Sequence, residues 1–169
     1  MNKKNINKKG FTLIELLLYV GVTGFILTAV VMFMATLLQV QAKNRTISEV
    51  NQQGALVLQA ITQTIRNSTD VNSPATGANA TSLSVGVTDA LKNPTIFSVS
   101  AGAFRVSEGA SSYILTNSKV TAVNTVFTNL SRADTPGIIK IEFTLASVNS
   151  TNRNEFDYNK TFSATASLR

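Results

Sequence analysis

The chain reads as an α+β protein: a long N-terminal helix, apolar throughout its first half and amphipathic in its second, packed on a small antiparallel β-sheet. Three observations predict this. Phe11 to Leu38 is a run of 28 residues with one carboxylate, Glu15, and no Lys, Arg or Asp. From Ile47 to Ile65 apolar residues recur in steps of three and four, and near the end of the chain they alternate with polar ones in steps of two.

The first run accounts for an unusual composition, in which 44% of the 169 residues are hydrophobic and only 14% charged. At 1.5 Å rise per residue a helix of this length extends roughly 42 Å, more than the ~30 Å hydrocarbon core of a bilayer. Its apolar residues surround the helix on all sides, which suits lipid or a packed helical bundle. Residues 11–40 are therefore expected to form a membrane or assembly helix, and a purely cytosolic enzyme is disfavoured.

In the second half, residues 41–68, Ile47, Val50, Gly54, Val57, Ile61 and Ile65 form one stripe. Arg45, Glu49, Gln52, Gln53, Gln59, Gln63 and Arg66 occupy the other sides. This half is expected to lie on a folded domain. Asn67 to Asp70, followed by Pro74 and Gly77, end the helix.

Residues 69–169 are expected to form the β-domain, with the Ser/Thr/Asn-rich stretch 68–82 read at its start as a linker loop. Leu83, Val85 and Val87 share one face of a strand, and Asn93-Pro94 marks a turn. Residues 95–106 and 113–116 read as short strands, while 120–130 gives no clear alternation. Ile139, Ile141, Phe143 and Leu145 alternate with Lys140, Glu142 and Thr144. After the polar loop 149–155, Phe156, Tyr158, Phe162, Ala164, Ala166 and Leu168 repeat the period, which predicts an antiparallel hairpin.

Absences narrow the chemistry. The chain has no His, no Cys and no Trp. Zinc sites, Cys/His nucleophile pairs and Ser-His-Asp triads all require His or Cys. Glu155 and Asp157 are close in sequence but have no apolar pocket in view to perturb them, so no catalytic residue, cofactor or metal is expected. The net charge of +6 is concentrated at the start, where Lys3, Lys4, Lys8 and Lys9 lie before Phe11. Without residues 1–10, 11 basic residues face 9 acidic ones, a balance of +2. Lys92, Arg105, Lys119, Arg132, Lys140, Arg153, Lys160 and Arg169 are spread evenly and mixed with acids, so nucleic acid is a partner without specific support.

Four lysines before the span against Lys43 and Arg45 after it favour a cytoplasmic N-terminus. Glu15 is what a plain anchor leaves unexplained. An acid inside a membrane helix costs on the order of 2 to 3 kcal/mol, and no Lys or Arg lies within helical reach of it along the span. Cutting the Gly10–Phe11 bond would create a partner, the α-amino group of Phe11, ionised near neutral pH. In a parallel assembly, Glu15 of one subunit would meet the Phe11 ammonium of its neighbour.

Lys8-Lys9-Gly10-Phe11-Thr12-Leu13-Ile14-Glu15, followed by the apolar run, resembles the class III leader of type IV pilins and type II secretion pseudopilins. The resemblance covers about the first quarter of the chain. It implies cleavage after Gly10 by a membrane-embedded prepilin peptidase, N-methylation of Phe11, and Glu15 as the acid that sets register between subunits. It also implies passage through an inner-membrane assembly platform into a pilus, competence pilus or pseudopilus made with other pilin or pseudopilin subunits. The chain would be held in membrane lipid as a single-pass protein before assembly, its β-domain outside the cytoplasm. The span lacks the Pro found in many major pilins and the chain lacks their Cys pair, which favours a minor pilin or J-type minor pseudopilin. Gly21 and Gly24 are expected either to give the helix local freedom or to allow close packing. Major pseudopilins of the resembled class often hold calcium in a C-terminal loop, which draws attention to Asn152, Asn154, Glu155 and Asp157. Their oxygens suit calcium, yet Arg153 lies among them and no metal is expected. The alternative to a filament subunit is a signal-anchored module displayed outside the cell for adhesion or DNA capture.

Overall fold

A computed structural model describes residues 10–132 and 135–169. Helix α1 runs without a break over Leu13–Arg66. Among the described residues nine strands follow: β1 (Ser68–Ser73), β2 (Asn79–Ala80), β3 (Leu83–Val87), β4 (Thr95–Ser100), β5 (Ala103–Glu108), β6 (Ser111–Ile114), β7 (Val120–Asn129), β8 (Ile138–Ser147) and β9 (Asn159–Ser167). A single 3-10 turn, Asn154–Phe156, lies between β8 and β9. The expected α+β class holds, with the strands divided into two antiparallel sheets of order β1-β3-β4-β5-β6 and β2-β7-β8-β9.

By their contacts the residues separate into two units, one ending at Gln41 and the other running Ala42–Arg169. The first is the apolar half of α1. Its large side chains, from Leu13 to Val40, are all exposed, and the helix is long and apolar enough to cross a membrane. Added Cβ atoms at Gly21 and Gly24 would meet nothing within 4 Å. The hydroxyls of Thr28 and Thr36 donate to the carbonyls of Gly24 (2.9 Å) and Met32 (3.0 Å), one turn back. This habit of helical Thr satisfies the polar group inside its own helix and suits an apolar surround.

The second unit is built around the stripe on the remaining half of α1. Val50, Gly54, Val57, Ile61 and Ile65 are buried, while Ile47 at the end of the stripe is half-buried. They share a core with Leu83 and Val85 of β3, Phe97 of β4, Phe104 of β5, Phe127 of β7, Ile139 to Leu145 of β8 and Phe162 of β9. The C-terminal hairpin forms in the register its alternation predicts: Ile139 pairs with Ala166, Ile141 with Ala164 and Phe143 with Phe162. Phe156 falls in the 3-10 turn rather than in the returning strand. Phe143 is packed edge-on to Phe104 at 4.8 Å between centroids and is stacked on Phe162 at 5.4 Å.

Two expectations are corrected, and the unclear strand at 120–130 is resolved. Residues 68–82 are not a linker loop. Ser68–Ser73 pairs with β3 and Asn79–Ala80 with β7. Ser68 Oγ donates to the Ile65 carbonyl at 2.7 Å, and buried Asn129 of β7 donates to the Pro74 carbonyl at 2.8 Å. Residues 95–106 fold into a hairpin, not a continuous strand. Ala101 and Gly102 turn it with positive φ of 51° and 74°, the two-residue geometry that matches strand twist. Residues 120–130 are a full strand interrupted by a bulge between Val123 and Val126, with Asn124 at φ 51°. Val120 and Ala122 point inward before it, Thr125, Phe127 and Asn129 after it. The extra residue shifts the inward parity from even to odd numbers, which hides the alternation.

The tightest approach in the core is at Gly54, where an added Cβ would fall 2.1 Å from the Phe162 ring. Because Phe162 is stacked on Phe143, the ring has little room to retreat. Gly54→Val is expected to destabilise the domain by about 1 to 3 kcal/mol, the usual cost of overpacking, measured as a lowered denaturation midpoint of the full chain in detergent. An unchanged midpoint would refute this packing.

Candidate functional site

The residues singled out in the sequence lie at the start of α1. Gly10 and Phe11 precede the helix and are exposed, as is Glu15 in its first turn. Lys3, Lys4, Lys8 and Lys9 lie outside the described residues. Leu13, Ile14, Leu16, Leu17 and Leu18 surround Glu15 in the chain and are likewise exposed, so the carboxylate stands on an apolar surface. Among the described residues, none of the four ion pairs involves Glu15.

Why the helix starts here is local. The Thr12 carbonyl accepts from the Leu16 N–H at 3.2 Å, the first helical bond, and Thr12 Oγ1 accepts from the Glu15 N–H at 3.3 Å. Thr12 is thus the N-cap and Glu15 the third helical residue. An acid in this turn also faces the positive end of the helix dipole. The signal was present as Thr12-Leu13-Ile14-Glu15, the Ser/Thr-x-x-Glu pattern of a capping box. The Phe11 and Tyr19 rings lie 5.7 Å apart, so Phe11 packs along the helix while the Gly10–Phe11 peptide lies outside it. The geometry leaves an exposed peptide bond outside a capped helix, with one acid a single turn inside.

The second candidate, the loop between β8 and β9, is differently made. Asn149 brackets Arg153 with two hydrogen bonds, accepting from its N–H at 3.2 Å and donating to its carbonyl at 2.9 Å. The Arg153 guanidinium pairs with Glu155 and lies over the Phe156 ring. The Lys43 ammonium donates to the carbonyls of Asn154, at 3.0 Å, and of Asp157. Two loop oxygens that would face a metal ion therefore face an ammonium from the helix. Among the described residues no three Asp or Glu side chains are grouped to hold a metal. Lys43 was visible in the sequence only as a charge flanking the span, because its partners lie more than a hundred residues away.

Of the eight scattered cations, five make polar contacts with neighbouring side chains. Lys92 pairs with Glu108 at 3.5 Å, Lys119 with Glu49 at 3.7 Å, Lys140 with Glu142 at 2.6 Å, and Arg153 with Glu155. Lys160 donates to Asn51 at 2.8 Å.

Residues 5–31 match a family model described as the prokaryotic N-terminal methylation motif. Neither the curated proteins nor the solved structures compared with the chain gave a match.

If Thr12 caps the helix, Thr12→Ala should cost about 0.5 to 2 kcal/mol of local stability. Amide exchange at Glu15, followed by NMR in micelles, should quicken accordingly. A rate equal to that of the unaltered chain would show that the cap contributes nothing.

Proposed function

From a chain that carries the class III prepilin leader of the type IV pilin and pseudopilin family, we propose that it is a structural subunit of a type IV pilus, competence pilus or type II secretion pseudopilus, in the manner of a minor pilin. The observation that carries this reading is a methylation-type leader directly joined to a capped, wholly exposed apolar helix with one acid in its first turn.

Each part has a task. Prepilin peptidase hydrolyses the accessible Gly10–Phe11 peptide with one water, and Gly10 leaves with the basic leader as its C-terminal carboxylate. The new amine at Phe11 is methylated, which keeps its positive charge and makes the end of the helix more apolar. Residues 11–40 hold the subunit in the cytoplasmic membrane as a single pass, with the β-domain outside the cytoplasm. During assembly the same surface exchanges lipid for neighbouring helices. Lipid and helix interiors are similarly apolar, so close packing and the pairing of Glu15 with a neighbour's Phe11 ammonium determine register. The role is structural and needs no catalytic group in the chain. Partners are the peptidase, the inner-membrane assembly platform and other subunits.

Two experiments test this reading. Gly10→Leu should block processing and leave a precursor heavier by the ten-residue leader, while the unaltered protein should give a mature N-terminus at methylated Phe11 by mass spectrometry. A normal mature mass in the variant would remove the peptidase assignment. Glu15→Val should leave cleavage intact but lower incorporation into sheared filaments at least tenfold, the size of effect for a partly desolvated charge pair. Incorporation at the unaltered level would contradict the pairing.

A further inference from the structure

Among the described residues the two sheets have four edges, β1 and β6 in one and β2 and β9 in the other. An edge strand carries unpaired backbone N–H and C=O groups, and it adds a strand from another chain unless charge, bulges or shortness prevent it. Three of the edges are protected. β1 has Asp70 and two register shifts along its ladder, and Pro74 follows it directly. β2 is two residues long. β9 carries Lys160, and its large apolar side chain, Phe162, is buried, so a strand laid beside it would cover only small and polar groups.

β6 is made differently. All four of its residues are exposed, Tyr113 at 54% and Ile114 at 56%. No charged residue occurs from Gly109 to Ser118. The ladder with β5 is in unbroken register, pairing Arg105 with Ile114, Val106 with Tyr113 and Ser107 with Ser112. Just past it, the Leu115 N–H donates to the Phe104 carbonyl at 2.8 Å. Bonded and non-bonded pairs alternate along an antiparallel ladder. Counting back in twos from Leu115, Tyr113 and Ser111 turn their backbone groups to β5, and Ser112 and Ile114 turn theirs to the free edge.

These free groups match themselves. A two-fold axis at Tyr113 sets Ser112 of one copy opposite Ile114 of the other, and Ile114 opposite Ser112, so each pair exchanges two backbone hydrogen bonds. The two Tyr113 residues then face each other in the closer, non-bonded position, with about 4.5 Å between Cα atoms, where aromatic pairs add to sheet stability. Because the strand is uncharged, no like charges meet. Among the described residues a second copy offers no other unprotected edge, which selects β6 as the partner of β6.

We propose that β6 is a docking edge for β6 of a second copy of this chain, joining two five-stranded sheets into one antiparallel sheet of ten. Two four-residue strands cover less than the roughly 1,200 Å² of stable complexes, so the contact is reversible and forms where copies are concentrated. The pairing is independent of the filament reading.

The chain has no Cys, so single introduced cysteines report contacts between copies. The full chain in detergent micelles is oxidised with diamide, which takes up the two thiol hydrogens as the disulfide forms, and covalent dimer is followed on non-reducing gels. Disulfides need Cα atoms about 4.4 to 6.8 Å apart, so Tyr113→Cys should dimerise about tenfold faster than Thr165→Cys on β9. Ser112→Cys lies about 7 to 8 Å from its own copy and should remain slow. A mixture of Ser112→Cys and Ile114→Cys chains, which keep Tyr113, places the thiols about 5.5 Å apart at Cα and should crosslink about tenfold faster than either alone. Adding Ile114→Lys, an edge lysine, to Tyr113→Cys should slow it about tenfold. Association through the apolar helix alone would raise Tyr113→Cys and Thr165→Cys alike, and an edge that serves a different protein would give no excess in the purified chain. Equal rates at positions 113 and 165, or a mixture no faster than its single variants, overturns the proposal.

Discussion

Everything else in this molecule depends on one stripe of small and branched side chains along α1. Val50, Gly54, Val57, Ile61 and Ile65 are the helix's whole contribution to the buried core, and they close both sheets over a common interior. The stripe works because its spacing keeps it on one side of the helix and because Gly54 removes a side chain where the Phe162 ring must lie. The Phe104, Phe143 and Phe162 rings, the first pair edge-on and the second stacked, then link β5, β8 and β9.

That arrangement frees the other half of the helix. The hydrophobic core begins at Val50, twelve residues past Leu38, where the apolar run ends. The apolar half is correspondingly self-sufficient. Thr28 and Thr36 bond their own helix, Thr12 caps its start, and the backbone amides and carbonyls are paired along the helix. Glu15 is the exception, a charge on an apolar surface that makes no ion pair among the described residues. In the second unit, Lys43 shows the opposite economy, spending its charge on two backbone carbonyls of the loop between β8 and β9.

Where the sequence was readable, the side-chain period was uninterrupted. The stripe on α1 and the β8–β9 hairpin each bury one face, so every second or every third to fourth residue had to be apolar. Where it was not, a local feature broke the period or hid the burial. The bulge at Asn124 reversed the inward parity of β7 halfway along. β1 and β2 lie at the edges of their sheets and are largely exposed, so their polar composition resembled a loop. Gly10, Phe11 and Glu15 were legible because they belong to a contiguous motif. Thr12 shared the motif, but its role as a cap emerges from the hydrogen bond it makes.

By itself the sequence determined the properties carried by neighbouring residues along one helix or strand: the apolar span, its lone acid, the basic leader, the amphipathic stripe and the final hairpin. These follow from period and composition, which need no knowledge of distant contacts. Only the tertiary structure decided what distant segments do to one another. It divided the strands between two sheets, turned a supposed linker into paired strands, and brought Lys43 to the carbonyls of Asn154 and Asp157. Such contacts depend on the three-dimensional path of the backbone, because residues separated by seventy or more positions share a site only after the intervening chain has folded.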